Sequence, residues 1–181
     1  MIAGPSGVGK GSVVKELLSR DPEGLALSVS VTTRTPRPTE LPKRDYFFVD
    51  DVGFDEMTSA GELLEWAEVF GHRYGTPRAY VDAQLRAGRD VILEIDVQGA
   101  YQVREHAPDA VLILLKPPSM EELGRRLRGR GTESEDRMAL RLATAEEELA
   151  HEEAFDAVVV NDDLERASSQ VADIIEASRT T

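Results

Sequence analysis

Residues 3–12 read AGPSGVGKGS, and their chemistry is that of a phosphate cradle. Gly4 and Gly9 stand with four residues between them and Lys10 follows directly, the spacing of a loop whose backbone N–H groups turn inward on an anion. Along Gly4-Pro5-Ser6-Gly7-Val8-Gly9-Lys10-Gly11-Ser12 the donors are mostly main-chain. Lys10 can reach the β- and γ-phosphates of ATP, and a helix expected over 10–20 adds its positive end. The hydroxyl that usually follows the lysine comes one residue late, because Gly11 takes its place and Ser12 comes next. Direct coordination of Mg²⁺ from that position is lost. The ion is therefore expected on the ATP phosphates, with no direct protein ligand, and with Ser12 or Asp96 acting on it through water.

A second set of residues suits a second phosphate. Arg34 and Arg37 lie three apart in an extended, proline-punctuated stretch, where two guanidiniums can grip one phosphate in bidentate fashion. Tyr46 and Tyr74 could add neutral hydroxyl donors, and Ser30, Glu40 and Asp45 share the stretch. In LLEWAE, an extended chain sends Glu65 and Glu68 to opposite faces, so one of them points inward; spacing alone does not choose. Asp96 ends an apolar run, at the strand end where open α/β sheets bind ligands. It can also cap the helix that follows, and the two roles are compatible. A third basic set holds Arg126 and Arg130, which share a helix face, with Arg125 and Arg128 beside them.

The elements needed to position these residues alternate between strand and helix. Val13, Val14, Leu17 and Leu18 make the first helix amphipathic until Asp21-Pro22 stops it. Strands are expected over 26–33, 45–50, 63–70, 90–96, 110–115 and 157–160, with GHRYGTP read as a turn-rich segment. Helices are expected over 53–61, 78–88, 97–106, 119–129, 137–152 and 163–178, with a polar loop at 129–136. This rhythm implies an α/β fold: a parallel-sheet core with helices on both faces, a mixed α+β insertion and a helical lid. The expected division assigns 1–30, 78–118 and 153–181 to the core, 31–77 to the insertion, and 119–152 to the lid and adjoining helices. Only Met1, Ile2 and Ala3 precede Gly4, where such a loop normally follows a longer strand. The expectation is a start assigned late or a trimmed chain, less stable than one extended upstream.

Composition narrows the partners. With 181 residues the chain supports one domain with a real core. A net charge of −13 argues against a nucleic-acid binder, yet the arginines gather in two places, as a small anionic ligand would require. There is no cysteine, no apolar run of membrane-spanning length and no visible signal peptide. The reading is a cytoplasmic protein that binds no membrane, with its oligomeric state left open.

The segments SVSVTTRTPR, DYFFV, LLEWAEVFGHRYGTP, VILEIDVQGA, RLRGRGTE and VVVNDDLE resemble the guanylate kinase family of nucleoside monophosphate kinases, in order and over nearly the whole chain. The resemblance implies transfer of the γ-phosphoryl group of ATP to GMP, with Mg²⁺ accompanying ATP. It implies that Arg34, Arg37, Tyr46 and Tyr74 hold the GMP phosphate, supported by Glu40. Glu65 and Thr76 would read guanine with Ser30 nearby, and Glu94 and Asp96 would lie on the floor between donor and acceptor. Arg126, Arg130 and Arg141 would act on the ATP phosphates, with Asn161 near the adenine. Lys10, Arg34, Asp96 and the three lid arginines make up the expected catalytic set. The base chemistry agrees: a carboxylate accepts from both N1–H and the 2-amino group of guanine, whereas adenine leaves it unpaired. Two rivals are a kinase of another acceptor, such as a ribose bisphosphate, and a catalytically inactive binding module of the same fold.

Overall fold

A computed structural model describes residues 1–38, 40–42, 44–69, 71–129 and 135–179. At the centre, β1 (Ile2–Ala3) pairs in parallel with β8 (Ile113–Lys116), which pairs in parallel with β9 (Ala157–Val160). On its other side β1 meets the chain just past β7 (Asp90–Ile92): Ile2 bridges Glu94, and the Ile2 N–H donates to Leu93 O at 2.8 Å. β7 pairs in parallel with β2 (Leu25–Leu27). The parallel order is therefore β2-β7-β1-β8-β9, and the phosphate loop leaves the end of its central strand.

Both faces of this sheet are covered, as the alternation of strand residues requires. Ile2, Ile92, Ile113 and Leu115 pack against Val13, Val14 and Leu17 of α1 (Lys10–Arg20) and Ala167 and Val171 of α7 (Leu164–Arg179). Leu93 and Ile95 pack on the opposite side with Val81 of α3 (Arg78–Arg86) and Val103 of α4 (Val97–His106).

The insertion is a small mixed sheet in the order β4-β3-β6-β5. β3 (Val31–Thr32) runs parallel to β4 (Phe47–Phe48) and antiparallel to β6 (His72–Pro77), which is the hairpin partner of β5 (Leu63–Val69). Phe54 of α2 (Asp51–Ser59) is fully buried against Val31 and Leu63, and the Arg73 guanidinium lies 4.8 Å from its ring centroid. The lid helices α5 (Met120–Arg128) and α6 (Glu135–Leu149) share a separate small core of Leu123, Leu127, Met138 and Ala145. Ser119 caps α5 by accepting from the Glu122 N–H, and the acids of its first turn and arginines of its last complement the helix dipole.

Four sequence expectations need correction. The run 26–33 is not one strand: β2 belongs to the core sheet and β3 to the insertion, so the chain changes sheets at residues 28–30 although its alternation continues. GHRYGTP is largely strand, not turn. Gly71, at φ +78, makes the corner, and His72–Pro77 zip onto β5. β8 begins at Ile113 rather than 110 and reaches Lys116, since Asp156 receives the Leu112 N–H. The helix expected over 137–152 runs from Glu135 to Leu149, and a short 3₁₀ turn follows at Glu152–Ala154. Most of the expected polar loop lies outside the described residues.

Phe54 holds the insertion together from one point, so Phe54→Ala should cost about 3–5 kcal/mol in urea unfolding. A loss below about 1 kcal/mol would show that this core is not the insertion's main support.

Candidate active site

The loop after β1 is held in shape from behind. Gly4 has φ +143, and a Cβ there would lie 2.3 Å from Leu115 O of the neighbouring strand. Gly9 has φ +105, and its Cβ would meet the Asn161 side-chain nitrogen at 2.4 Å. Asn161 Nδ2 donates instead to Val8 O at 2.8 Å, and Arg126 Nη1 donates to the same oxygen at 3.2 Å. Lys10 Nζ folds back to donate to Gly4 O and, at 3.4 Å, to Pro5 O. No side chain caps α1 and no acid sits in its first turn, so the positive end of the helix faces the cleft.

A cleft of about 400 Å³ opens beside this loop. Of the residues singled out from sequence, Gly4, Pro5, Ser6, Gly7, Gly9, Lys10, Gly11, Ser30, Tyr46, Glu65, Tyr74, Glu94, Asp96 and Arg141 all line it. Regions of the chain distant in sequence thus converge on one space. Val8 is buried behind the loop, and Ser12 is exposed on α1 and does not line the cleft, which leaves Asp96 as the better placed of the two groups expected near a hydrated ion. Arg130 lies outside the described residues.

At the acceptor end, Glu65 is only 5% exposed while Glu68 is exposed, so burial makes the choice that spacing left open. Thr76, fully buried on the partner strand, donates its hydroxyl to Glu65 Oε1 at 2.6 Å. Gly99, in the first turn of α4, has no side chain; a Cβ there would be 2.6 Å from Glu65 Oε2. Burial pushes the Glu65 carboxyl up to about 7, against the pull of the Thr76 hydroxyl and with a smaller push from Asp96. Asp96 accepts from the Gly99 N–H at 2.7 Å, so it caps α4 while lining the cleft floor.

The arginine arm is preset by one carboxylate. Glu40 receives Arg34 Nη2 at 2.8 and 3.0 Å and the Arg37 backbone N–H at 2.8 Å. These bonds, that from Arg34 foremost, hold the Glu40 carboxyl below the usual range. The Arg34 guanidinium lies 5.4 Å from the Tyr46 ring centroid, and the Tyr74 ring meets Tyr46 edge-on. The Arg37 side chain is 73% exposed and extends into solvent.

Two residues differ from their sequence reading or escaped it. Arg126 does not line the cleft: Glu122 Oε1 receives its Nε at 2.8 Å, and its Nη2 reaches Asn161 O at 2.9 Å. It is a strut from the lid helix to the back of the phosphate loop, and with Arg125 it holds Glu122 down at about 2. Glu148 lines the cleft and was not singled out. Its signal was position, one helical face on from Arg141 and Thr144.

The Glu65 shift has a defined sign. Between pH 4.5 and 7 the folded protein keeps a proton that the unfolded chain has released, so stability falls as pH rises through that window. Relative to Glu65→Gln, wild-type stability should drop by about 3 kcal/mol across it in denaturant unfolding. A difference that stays flat with pH would contradict burial of the ionised carboxylate.

The profile described as guanylate kinase matches residues 1–178. A guanylate kinase of Thermobifida fusca is 54% identical over 180 residues, covering 99% of this chain and 91% of that relative. One from Parasynechococcus marenigrum is 56% identical over 167 residues, covering 92% and 91%. The crystal structure of guanylate kinase from Anaplasma phagocytophilum superposes with a TM-score of 0.81 at 37% identity, over 99% of this chain and 85% of that one. The chain belongs to the guanylate kinase family.

Proposed function

We propose that this enzyme transfers the γ-phosphoryl group of ATP to GMP, giving ADP and GDP. The observation that carries the reading is the buried Glu65 carboxyl, bonded by the Thr76 hydroxyl, in the lining of the same cleft as the phosphate loop. A carboxylate at that place accepts from guanine N1–H and the 2-amino group together. Adenine presents an acceptor to it and a ribose bisphosphate presents no base, so both would leave it unpaired.

The remaining residues divide the work. Arg34, fixed by Glu40, with Arg37, Tyr46 and Tyr74, holds the acceptor phosphate. The backbone of residues 4–11 and Lys10 hold the donor phosphates, and Arg141 from α6 brings positive charge to the same cleft. An acceptor phosphate oxygen attacks the γ-phosphorus as its bond to the bridging oxygen of ADP breaks, and Lys10 and the arginines offset the charge that moves to ADP. Ser30 lines the guanosine side and Asn161 supports the loop from the adenine side.

Magnesium fits the site as a companion of ATP. Among the described residues no group of three or more acids or histidines is placed to hold a metal ion, and Gly11 supplies no hydroxyl. Glu94 and Asp96 line the floor as acceptors for its water shell. When bound, the ion neutralises charge on the β- and γ-oxygens. Residues 31–77 then form the acceptor module and 119–152 the lid region, whose movement excludes water.

The test is ADP release from ATP and Mg²⁺ with GMP, AMP, UMP or a ribose bisphosphate. Turnover with GMP is expected to exceed that with AMP by about 10³-fold or more in kcat/KM. Preferred turnover of a ribose bisphosphate would keep the fold and overturn the acceptor. No turnover with any of them, in folded protein, would favour a binding module. Glu65→Gln should lower kcat/KM for GMP by about 10²-fold or more while leaving the KM for ATP within about threefold; an equal loss for both substrates would mean that Glu65 supports the fold rather than the base.

A further inference from the structure

One group in the cleft has no role in the reaction as described so far. Arg141, Thr144, Ala145 and Glu148 form the face of α6 that lines the cleft together with the phosphate loop. Glu148 Oε2 is buried there, and among the described residues no group donates to it. The charges that act on Glu148 are Lys10, which stabilises its ionised form, and Asp96, which opposes it, and burial raises its carboxyl above the ordinary range. A buried acceptor without a donor is costly, and two carboxylates that repel each other across a cleft raise that cost.

The ligand chemistry narrows what can satisfy it. An ionised carboxylate only accepts hydrogen bonds, and so do the oxygens of a nucleotide triphosphate at neutral pH. Glu148 therefore cannot bond the phosphates directly and would repel them unless positive charge or a donor lay between. Lys10 supplies charge, but its ammonium is turned toward Gly4 O and Pro5 O. The other donor that travels with a nucleotide triphosphate is the water bound to its divalent cation, which Mg²⁺ keeps in number. Gly11 removes the inner ligand that usually fixes the cation from this loop, so its hydration shell is the part left for the protein to hold.

We propose that Glu148 is a positioning residue that accepts hydrogen bonds from the water shell of the divalent cation accompanying the donor nucleotide, opposite Asp96. The assignment rests on the ATP-dependent reading of this cleft. It gives α6 two complementary contacts, with Arg141 placed for phosphate oxygens and Glu148, two turns along the same face, for the hydrated cation. The lid helix can then distinguish a metal-bound nucleotide from a bare one.

The test is calorimetric titration of ADP and of a non-hydrolysable ATP analogue, with and without Mg²⁺, into wild type, Glu148→Gln and Glu148→Ala, alongside thermal unfolding of each. In wild type Mg²⁺ should strengthen binding of the analogue. In both variants that enhancement should shrink by about tenfold or more, the size expected when a partner one shell out from a metal is removed. Binding of the metal-free analogue should stay equal or become tighter, because a negative charge has gone. An enhancement equal to that of wild type overturns the proposal. So does a parallel loss with and without Mg²⁺, which would assign Glu148 to support of Lys10 or of the loop. If Glu148→Ala fails to fold, the isosteric Gln variant decides. Wild type that binds neither nucleotide under either condition would instead overturn the ATP-site reading beneath it.

Discussion

The cleft depends on a carboxylate placed where a carboxylate is costly. Glu65 lies 5% exposed, and the Thr76 hydroxyl donates to one of its oxygens at 2.6 Å. Thr76 reaches it because β5 and β6 form a hairpin, and the hairpin turns on Gly71. Its second oxygen has room because the first turn of α4 carries a glycine at position 99. The N–H of that glycine is held by Asp96, which lines the cleft floor. One capping bond thus ties the floor of the cleft to the space around Glu65. Deep burial with incomplete pairing gives base selectivity a physical origin, because only a ligand with two adjacent donors would complete the set.

The glycine loop follows a different rule, in which geometry comes from backbone and the support from behind. The glycines at 4 and 9 lie against Leu115 O and the Asn161 amide too closely for any side chain. Val8 O, at the back of the loop, takes bonds from β9's far end through Asn161 and from α5 through Arg126. The loop is therefore tied to α5, and a shift of that helix would be felt along the loop. Arg34 is held in a similar way by Glu40, so the loop and the arginine arm are both positioned by contacts within the protein.

Much of this was legible in the letters. The α1 helix and its glycine loop and the Asp96 cap follow from spacing and residue type, because each depends on neighbours close in sequence; the Arg34–Glu40 pairing comes only with the family resemblance. What escaped depended on pairing across distance. The alternation of 26–33 is the same on either sheet, so nothing local marks the crossing at 28–30. The glycine, proline and histidine of GHRYGTP read as turn, and only the partner strand β5 makes them extended. The Arg126 pattern with Glu122 looks like an ordinary surface pair, and its reach to Val8 O and Asn161 O appears only when α5 is packed. Glu148 could have been found by following the helical face from Arg141, but its buried, unpartnered oxygen is a tertiary fact.

The most direct measurement of the central claim is an NMR titration of the Glu65 side-chain carboxyl carbon, in the free protein and with saturating GMP. The account predicts a midpoint of about 7 in the free protein, and one moved down into or below the ordinary carboxylate range once the two guanine donors are in place. A free-protein midpoint near the ordinary value of 4.5, unmoved by GMP, would contradict it.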